Sequence, residues 1–286
     1  MNTLPRVARH PYVVCDVFTD RPLTGNQLAV FTEAERIPAE LFQPLAREMN
    51  LSETVFALSP ESGGDARIRI FTPIAELPFA GHPVLGSAFV LAENLSAPVV
   101  RLETGLGVIP IALDREAGRI TFGRMEQPVP KWQPYPRTAE LLAALGVEAS
   151  ELPVESYRNG PEHVFVALPD EAAVAALKPD LGVLAELTGV GVNCFAGSGR
   201  RWKLRMFGPG LGVAEDPASG SAAGPLAIHL ARHGWIQFGD EIEISQGAEL
   251  KRPSTLYARA EGTAAAIELV EVGGRAVIVA RGEFEF

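Results

Sequence analysis

Arg67-Ile68-Arg69-Ile70-Phe71-Thr72-Pro73 and Lys203-Leu204-Arg205-Met206-Phe207-Gly208-Pro209 are the same stretch by residue character, once in each half of the chain. Basic and apolar residues alternate with the period of a strand that has one covered face. The likeness continues downstream. Ala80-Gly81-His82-Pro83 leads into an apolar helix over 84–93, and Ser219-Gly220-Ser221-Ala222 leads into one that reaches His233. Two similar halves, each with many short strands and one central helix, do not read as alternating βαβ units. They predict an α+β fold of two pseudo-symmetric lobes, each a curled mixed sheet around its helix, with one site between them.

The surrounding chain fits two lobes. At 286 residues it is long enough for two cores of its own. Strands are expected over 11–18, 27–32, 54–58, 66–72, 99–103, 108–113 and 119–122, and a helix beginning near Pro38 carries an apolar face through Leu41, Leu45 and Met49, with Pro44 expected to cost or kink it. Between Gln127 and Thr138 stand Pro128, Pro130, Pro134 and Pro136, which reads as a connection. This places an N-terminal lobe at 1–127 and a C-terminal lobe at 128–286. The second lobe repeats the pattern with helices over 139–145 and 172–177, strands over 163–168 and 202–207, and a closing meander whose last turn is expected at Gly273-Gly274.

Composition narrows the partners. A formal net charge of −10 argues against a protein that tracks phosphate backbones, so a small molecule is the expected partner and nucleic acid is not. No apolar run approaches the roughly 18 residues of a membrane span, and the N-terminus lacks the apolar core of a signal peptide, so no membrane association and a cytoplasmic location are expected. Cys15 and Cys194 both sit in apolar, strand-like runs and are expected to be buried and inert.

The two glycine-led helix starts carry the most chemistry. A helix N-terminus offers unpaired backbone N–H groups and a partial positive charge, so it holds a carboxylate without a cationic side chain, and glycine lets the ligand come close. Gly81-His82 and Gly220-Ser221 would add His82 and Ser221 as further donors. Asp216 precedes the second of these starts, and Glu53 lies at a helix-to-strand junction in the first half. Such acids are commonly solvated, but in a closed cleft they would form a paired acid/base set, because burial raises a carboxyl pKa toward neutrality. His229 and His233 are spaced for metal sharing, yet no Glu follows the first as in His-Glu-x-x-His, so a core or capping role is expected and no metal. Arg200 to Arg205 alternates as a strand rather than as a nucleic-acid patch, and Gly208-Pro209-Gly210-Leu211-Gly212 lacks the spacing of a dinucleotide loop.

Asn50-Leu51-Ser52-Glu53-Thr54, Glu76 to Pro83, Arg158-Asn159-Gly160-Pro161-Glu162-His163-Val164-Phe165-Val166, Asn193-Cys194-Phe195-Ala196-Gly197 and Glu215 to Pro225 together resemble the PhzF phenazine-biosynthesis family, which shares its fold with diaminopimelate epimerase. The resemblance spans essentially the whole chain. It implies a cofactor-independent isomerase, a homodimer, that converts trans-2,3-dihydro-3-hydroxyanthranilate to 6-amino-5-oxocyclohex-2-ene-1-carboxylate. By match to the Asn-Leu-Ser-Glu motif, Glu53 would move a proton from C3 to C1, with His82, Asp216 and Ser221 assisting. Substrate would be held by Asn26, Ser52, Gly81, Ser219 and Gly220. Two departures stand out. Epimerases and racemases of this fold use a cysteine ahead of each glycine-led start, where this chain has Ala80 and Ser219, and Gln27 replaces the Pro that commonly follows Gly25-Asn26. An isomerase or epimerase for another amino-acid-like carboxylate, and a non-catalytic carboxylate binder, are the alternative readings.

Overall fold

The computed structural model describes residues 8–93, 95–187 and 189–286. The first half runs β1 (Arg9–Val17), β2 (Asn26–Phe31), α1 (Phe42–Met49), β3 (Glu53–Leu58), β4 (Ala66–Phe71), β5 (Glu76–Leu77), α2 (Gly81–Leu91), β6 (Val99–Thr104), β7 (Gly107–Glu116), β8 (Arg119–Glu126) and β9 (Lys131–Pro134). The second runs α3 (Thr138–Leu145), β10 (Glu155–Arg158), β11 (Glu162–Ala167), α4 (Glu171–Ala176), α5 (Leu181–Ala185), β12 (Val190–Ser198), β13 (Arg201–Gly208), β14 (Val213–Asp216), α6 (Gly220–Arg232), β15 (Ile242–Gln246), β16 (Ser254–Thr263), β17 (Ala266–Gly274) and β18 (Ala276–Glu285).

The repeat seen in the sequence is a repeat of topology. In the first half β2 lies parallel to β3, β3 antiparallel to β4, and β4 parallel to β6, which opens the meander β6–β7–β8. In the second half β11, β12, β13 and β15 follow the same parallel, antiparallel, parallel sequence into the meander β15–β16–β17. The echoed stretches are the strands β4 and β13, each followed by a short partner, β5 or β14, that delivers the chain to its central helix. Each half's last strand crosses over: β9 pairs with β10 at the start of the second half, and β18 pairs with β1. The direct β8–β17 pairing joins the two meanders.

Both central helices are apolar nearly all round and are buried accordingly. Residues Gly81 through Val90 of α2 and Gly220 through Ala231 of α6 are all buried. Val84, Leu85, Leu226, Ile228 and Leu230, all with no measurable exposure, each contribute roughly 1.5–3 kcal/mol of apolar burial. That burial fixes the helices as the rigid axles of their sheets.

Three local expectations are corrected. Pro44 neither breaks nor kinks α1, because the helix starts at Phe42 and a proline in the first turn gives up an N–H that has no helical partner there. The proline-rich connection is not structureless: Lys131–Pro134 forms a short strand against β10, and such strands tolerate Pro where its missing N–H is not needed by a neighbour. Gly273 and Gly274 finish β17 rather than forming the turn, packing flat against Phe122 and Phe18, where a Cβ would come within 2.6 and 2.4 Å of the rings.

Candidate active site

α2 and α6 begin against each other. A Cβ added to Gly81 would lie 2.4 Å from both the carbonyl carbon of Gly220 and the amide nitrogen of Ser221, and one added to Gly220 would lie 2.9 Å from the amide of His82. Only glycine at both positions allows this approach. Neither helix has a side-chain cap. Two buried helix N-termini with their positive ends together repel one another and leave N–H groups unpaired, and an anion placed between them relieves both costs. Ser219, at the N-cap of α6, makes no cap hydrogen bond; its hydroxyl donates to Asp216 Oδ2 at 2.6 Å and accepts from Gln246 Nε2 at 3.0 Å.

Glu53 opens β3 three residues after Asn50, whose left-handed backbone (φ 50°) turns the chain out of α1. Its side chain is 14% exposed and faces His82, with Oε2 at 3.4 Å from His82 Nε2, but among the described residues that oxygen makes no hydrogen bond. Burial, reinforced by the charge of Asp216, pushes the Glu53 pKa well above the usual carboxyl range. Asp216 closes β14 from the other half. Burial raises its pKa too, but Ser219, Asn26 and Ser52 donate to it and oppose the rise. The two environments differ: Asp216 has donors to stabilise a negative charge, and Glu53 Oε2 has none among the described residues. Asp216 therefore carries the charge of the pair more readily than Glu53.

His82 is neutral. Burial drives its pKa down to about 3, while the backbone carbonyl of Gln27 accepts from the ring and pulls the other way. Asn26 stitches the halves together, its amide donating to Asp216 Oδ1 at 2.8 Å and to the carbonyl of Ala218 at 3.0 Å, with His82 Nδ1 at 3.2 Å. Gln27 itself points out of β2, so its replacement of Pro leaves Asn26 facing the site.

These groups surround a cavity of about 190 Å³. Glu53, Gly81, His82, Asp216, Ser219, Gly220 and Ser221, seven of the residues expected from the sequence, line it. Asn26 is a donor to Asp216 outside this lining, and Ser52 lies close enough to Asp216 to lower its pKa. Apolar walls come from Ile74 and Leu77 of the first half and from Met206, Leu211 and Val213 of the second. One titratable lining residue was not expected from the sequence. His163, at the start of β11, reaches the cavity from behind Ser221 with its Nε2 2.9 Å from the serine hydroxyl. It lies in the stretch Arg158 to Val166 that carries part of the family resemblance, but no spacing links it to a residue 58 positions away.

The other sequence features fall elsewhere. Glu215 turns away from the cavity to a bidentate pair with Arg205 at 2.8 and 2.9 Å, while Lys203 pairs with Glu249 and Arg200 with Glu241. His229 and His233 converge with Glu155 at the far end of α6, but Arg232 reaches the same Glu155 oxygen at 2.7 Å and supplies the positive charge there. Cys15 and Cys194 are fully buried, and burial pushes both thiols up, Cys194 to about 12. No described helix is long and apolar enough to cross a membrane.

The described strands form one hydrogen-bonded mixed sheet that wraps two apolar helices, and with a carboxyl from each half of the chain at the abutting helix starts it defines the class of epimerase-like α+β proteins. Comparison with known proteins narrows this. Residues 15–282 match PhzC-PhzF, the phenazine biosynthesis-like proteins, and the chain belongs to that family. It is 54% identical over 273 residues to the trans-2,3-dihydro-3-hydroxyanthranilate isomerase of Pseudomonas aeruginosa, covering 96% of this chain and 98% of the relative. It superposes with a TM-score of 0.84 on a phenazine biosynthesis protein of the PhzF family from Bacillus anthracis, at 23% identity over 97% of this chain and 99% of that one. A structure described as a predicted epimerase from Pseudomonas aeruginosa aligns with a TM-score of 0.80 at 29% identity, over 96% and 99% of the two chains.

Proposed function

We propose that this protein is a trans-2,3-dihydro-3-hydroxyanthranilate isomerase acting in phenazine biosynthesis, with Glu53 as its single proton shuttle. The observation that carries the role of Glu53 is its buried Oε2, without a hydrogen-bond partner among the described residues and at the cavity beside two uncapped helix starts. The substrate assignment rests on relatives 53–54% identical over nearly the full chain that bear that activity in their names.

In this reading the substrate carboxylate lies at the N–H groups of Gly81, Gly220 and Ser221. Ionised Glu53 then takes the C3 proton, which the adjoining diene acidifies. The electron pair spreads over C4, C5, C6 and C1, and Glu53 returns the proton at C1. The enol that results tautomerises to 6-amino-5-oxocyclohex-2-ene-1-carboxylate. One proton leaves and one arrives with no change of oxidation state, so the step is balanced by acid–base chemistry alone and requires no cofactor. A carboxyl with a raised pKa suits both halves of the transfer, because it releases a proton about as readily as it takes one. Asp216, His82 and Ser221 orient the substrate; Asn26, Ser52 and Ser219 hold Asp216. The division into lobes 1–127 and 128–286, a homodimeric assembly and a cytoplasmic location belong to the same reading.

The test is to incubate the purified protein with trans-2,3-dihydro-3-hydroxyanthranilate in heavy water and follow products by mass spectrometry. Rapid consumption is expected, with deuterium at C1 below statistical incorporation if Glu53 is shielded from solvent. A folded protein that leaves the compound unchanged would shift the assignment to another amino-acid-like carboxylate or to carboxylate binding without turnover.

A further inference from the structure

We infer that His163 is a positioning residue that fixes the direction of the Ser221 hydroxyl, so that Ser221 donates its proton into the cavity rather than accepting one there. The inference rests on the cavity being the substrate site.

The direction is set by a chain that begins at backbone carbonyls. The side-chain nitrogen of Asn193, a residue with no exposure, lies 2.9 Å from the carbonyl of Gly191 and 3.4 Å from that of Val164. A carbonyl oxygen accepts and never donates, so only the amide NH₂ end of Asn193 can face this pair. The same NH₂ lies 3.3 Å from Nδ1 of His163, so one of its two hydrogens goes to the Gly191 carbonyl and the other is shared between the longer contacts to the Val164 carbonyl and Nδ1. A donor opposite Nδ1 leaves that nitrogen as the acceptor and places the single proton of a neutral imidazole on Nε2. The ring is neutral because it is buried, which lowers its pKa to about 3. Nε2–H then donates to Ser221 Oγ at 2.9 Å.

With one lone pair of Oγ engaged, the hydroxyl hydrogen is free to turn away from the ring. Among the described residues His163 is the hydrogen-bond partner of that hydroxyl, and Ser221 faces the cavity at the start of α6. The serine is thus a donor aimed where an anion is favoured. Two local features support the alignment. In the parallel pairing of β11 with β12, His163 sits opposite Gly191, and a Cβ on Gly191 would lie 3.1 Å from Nδ1, so the glycine leaves room for the ring. The carbonyl of Ser221 accepts from Asn159 at 3.0 Å, which holds the serine backbone in place.

If the hydroxyl donates to a carboxylate bound in the ground state, its loss weakens binding more than it slows chemistry. His163→Leu is expected to raise KM for trans-2,3-dihydro-3-hydroxyanthranilate at least about 10-fold, the lower end for a hydrogen bond to a charged group, with kcat changed less than about 3-fold. His163→Gln, which puts an amide donor near the position of Nε2, should recover most of the loss. In a Ser221→Ala background His163→Leu should add less than about 2-fold, because both changes remove the same donor. Multiplying effects, or no rescue by Gln, would overturn the inference.

A second readout needs no substrate. Long-range ¹H–¹⁵N NMR of the intact protein, with the His163 signals assigned through His163→Gln, should show the proton on Nε2 and a bare Nδ1. A proton on Nδ1 would overturn the inference whatever the substrate is. Wild-type inactivity combined with the Nε2 tautomer would refute the substrate reading alone.

Discussion

The openings of α2 and α6 share a backbone plan and differ in how their polar groups are committed. At α2 the N-cap is Ala80, the neutral His82 faces the cavity, and the nearby acid, Glu53, has an oxygen without a hydrogen-bond partner among the described residues. At α6 the N-cap is Ser219, bonded to Asp216 and Gln246, and the acid of that half accepts from Ser219 and Asn26. A duplicated scaffold has thus produced unequal acids. Satisfied hydrogen bonds favour the charge on Asp216 over that on Glu53.

The sharpest way to break this comparison is to neutralise each acid. Glu53→Gln should lower kcat by at least about 10²-fold while substrate still binds, the scale of a lost general base. Asp216→Asn should cost less in kcat and more in KM. Steady-state kinetics with both variants decide it, and a larger kcat loss at Asp216 would exchange the roles.

The shared backbone plan is tested next. Gly81→Ala drives a methyl into the Gly220–Ser221 peptide, with no flexible side chain to yield, and should destabilise by about 1–3 kcal/mol, the range for overpacking. Gly220→Ala meets its neighbours at 2.9 Å rather than 2.4 Å and should cost less. Urea unfolding of the two variants measures the difference.

A milder effect follows from the raised pKa of Glu53. Because the folded protein holds this proton more tightly than the unfolded chain, the associated stability is complete below the unfolded carboxyl pKa and is lost as pH rises through the folded value. Glu53→Gln should therefore be more stabilising at pH 8 than at pH 5 in paired thermal melts. Over the same window kcat/KM should rise with pH as Glu53 ionises. The smallest expected effect is none: a thiol-blocking reagent should leave turnover of the native protein unchanged, since Cys15 and Cys194 are buried protonated thiols away from the cavity.

Much of this was legible before folding was considered. The alternation in Arg67 to Phe71 and Lys203 to Phe207 identified two matching strands, and the apolar runs after Gly81 and Gly220 identified the buried helices, because period and hydrophobicity are local properties. Glu53, His82, Asp216 and Ser221 stood out through motif likeness. The effect of Pro44 was misjudged because one residue's difference in where a helix starts decides whether proline removes a needed N–H. The strand β9 was missed because its partner β10, not its own composition, makes it a strand.

The sequence by itself determined the duplicated α+β plan, the two glycine-led helices and the identities of the acids. Only the tertiary structure decided which acid is bare and which is bound, that Gly81 and Gly220 touch, and that His163 stands behind Ser221. Those facts depend on hydrogen bonds between residues far apart in the chain, such as Asn26 to Asp216, 190 positions away. Periodicity and propensity act over a few residues, whereas burial and hydrogen-bond partnership, which set each pKa here, exist only after distant strands have been brought together.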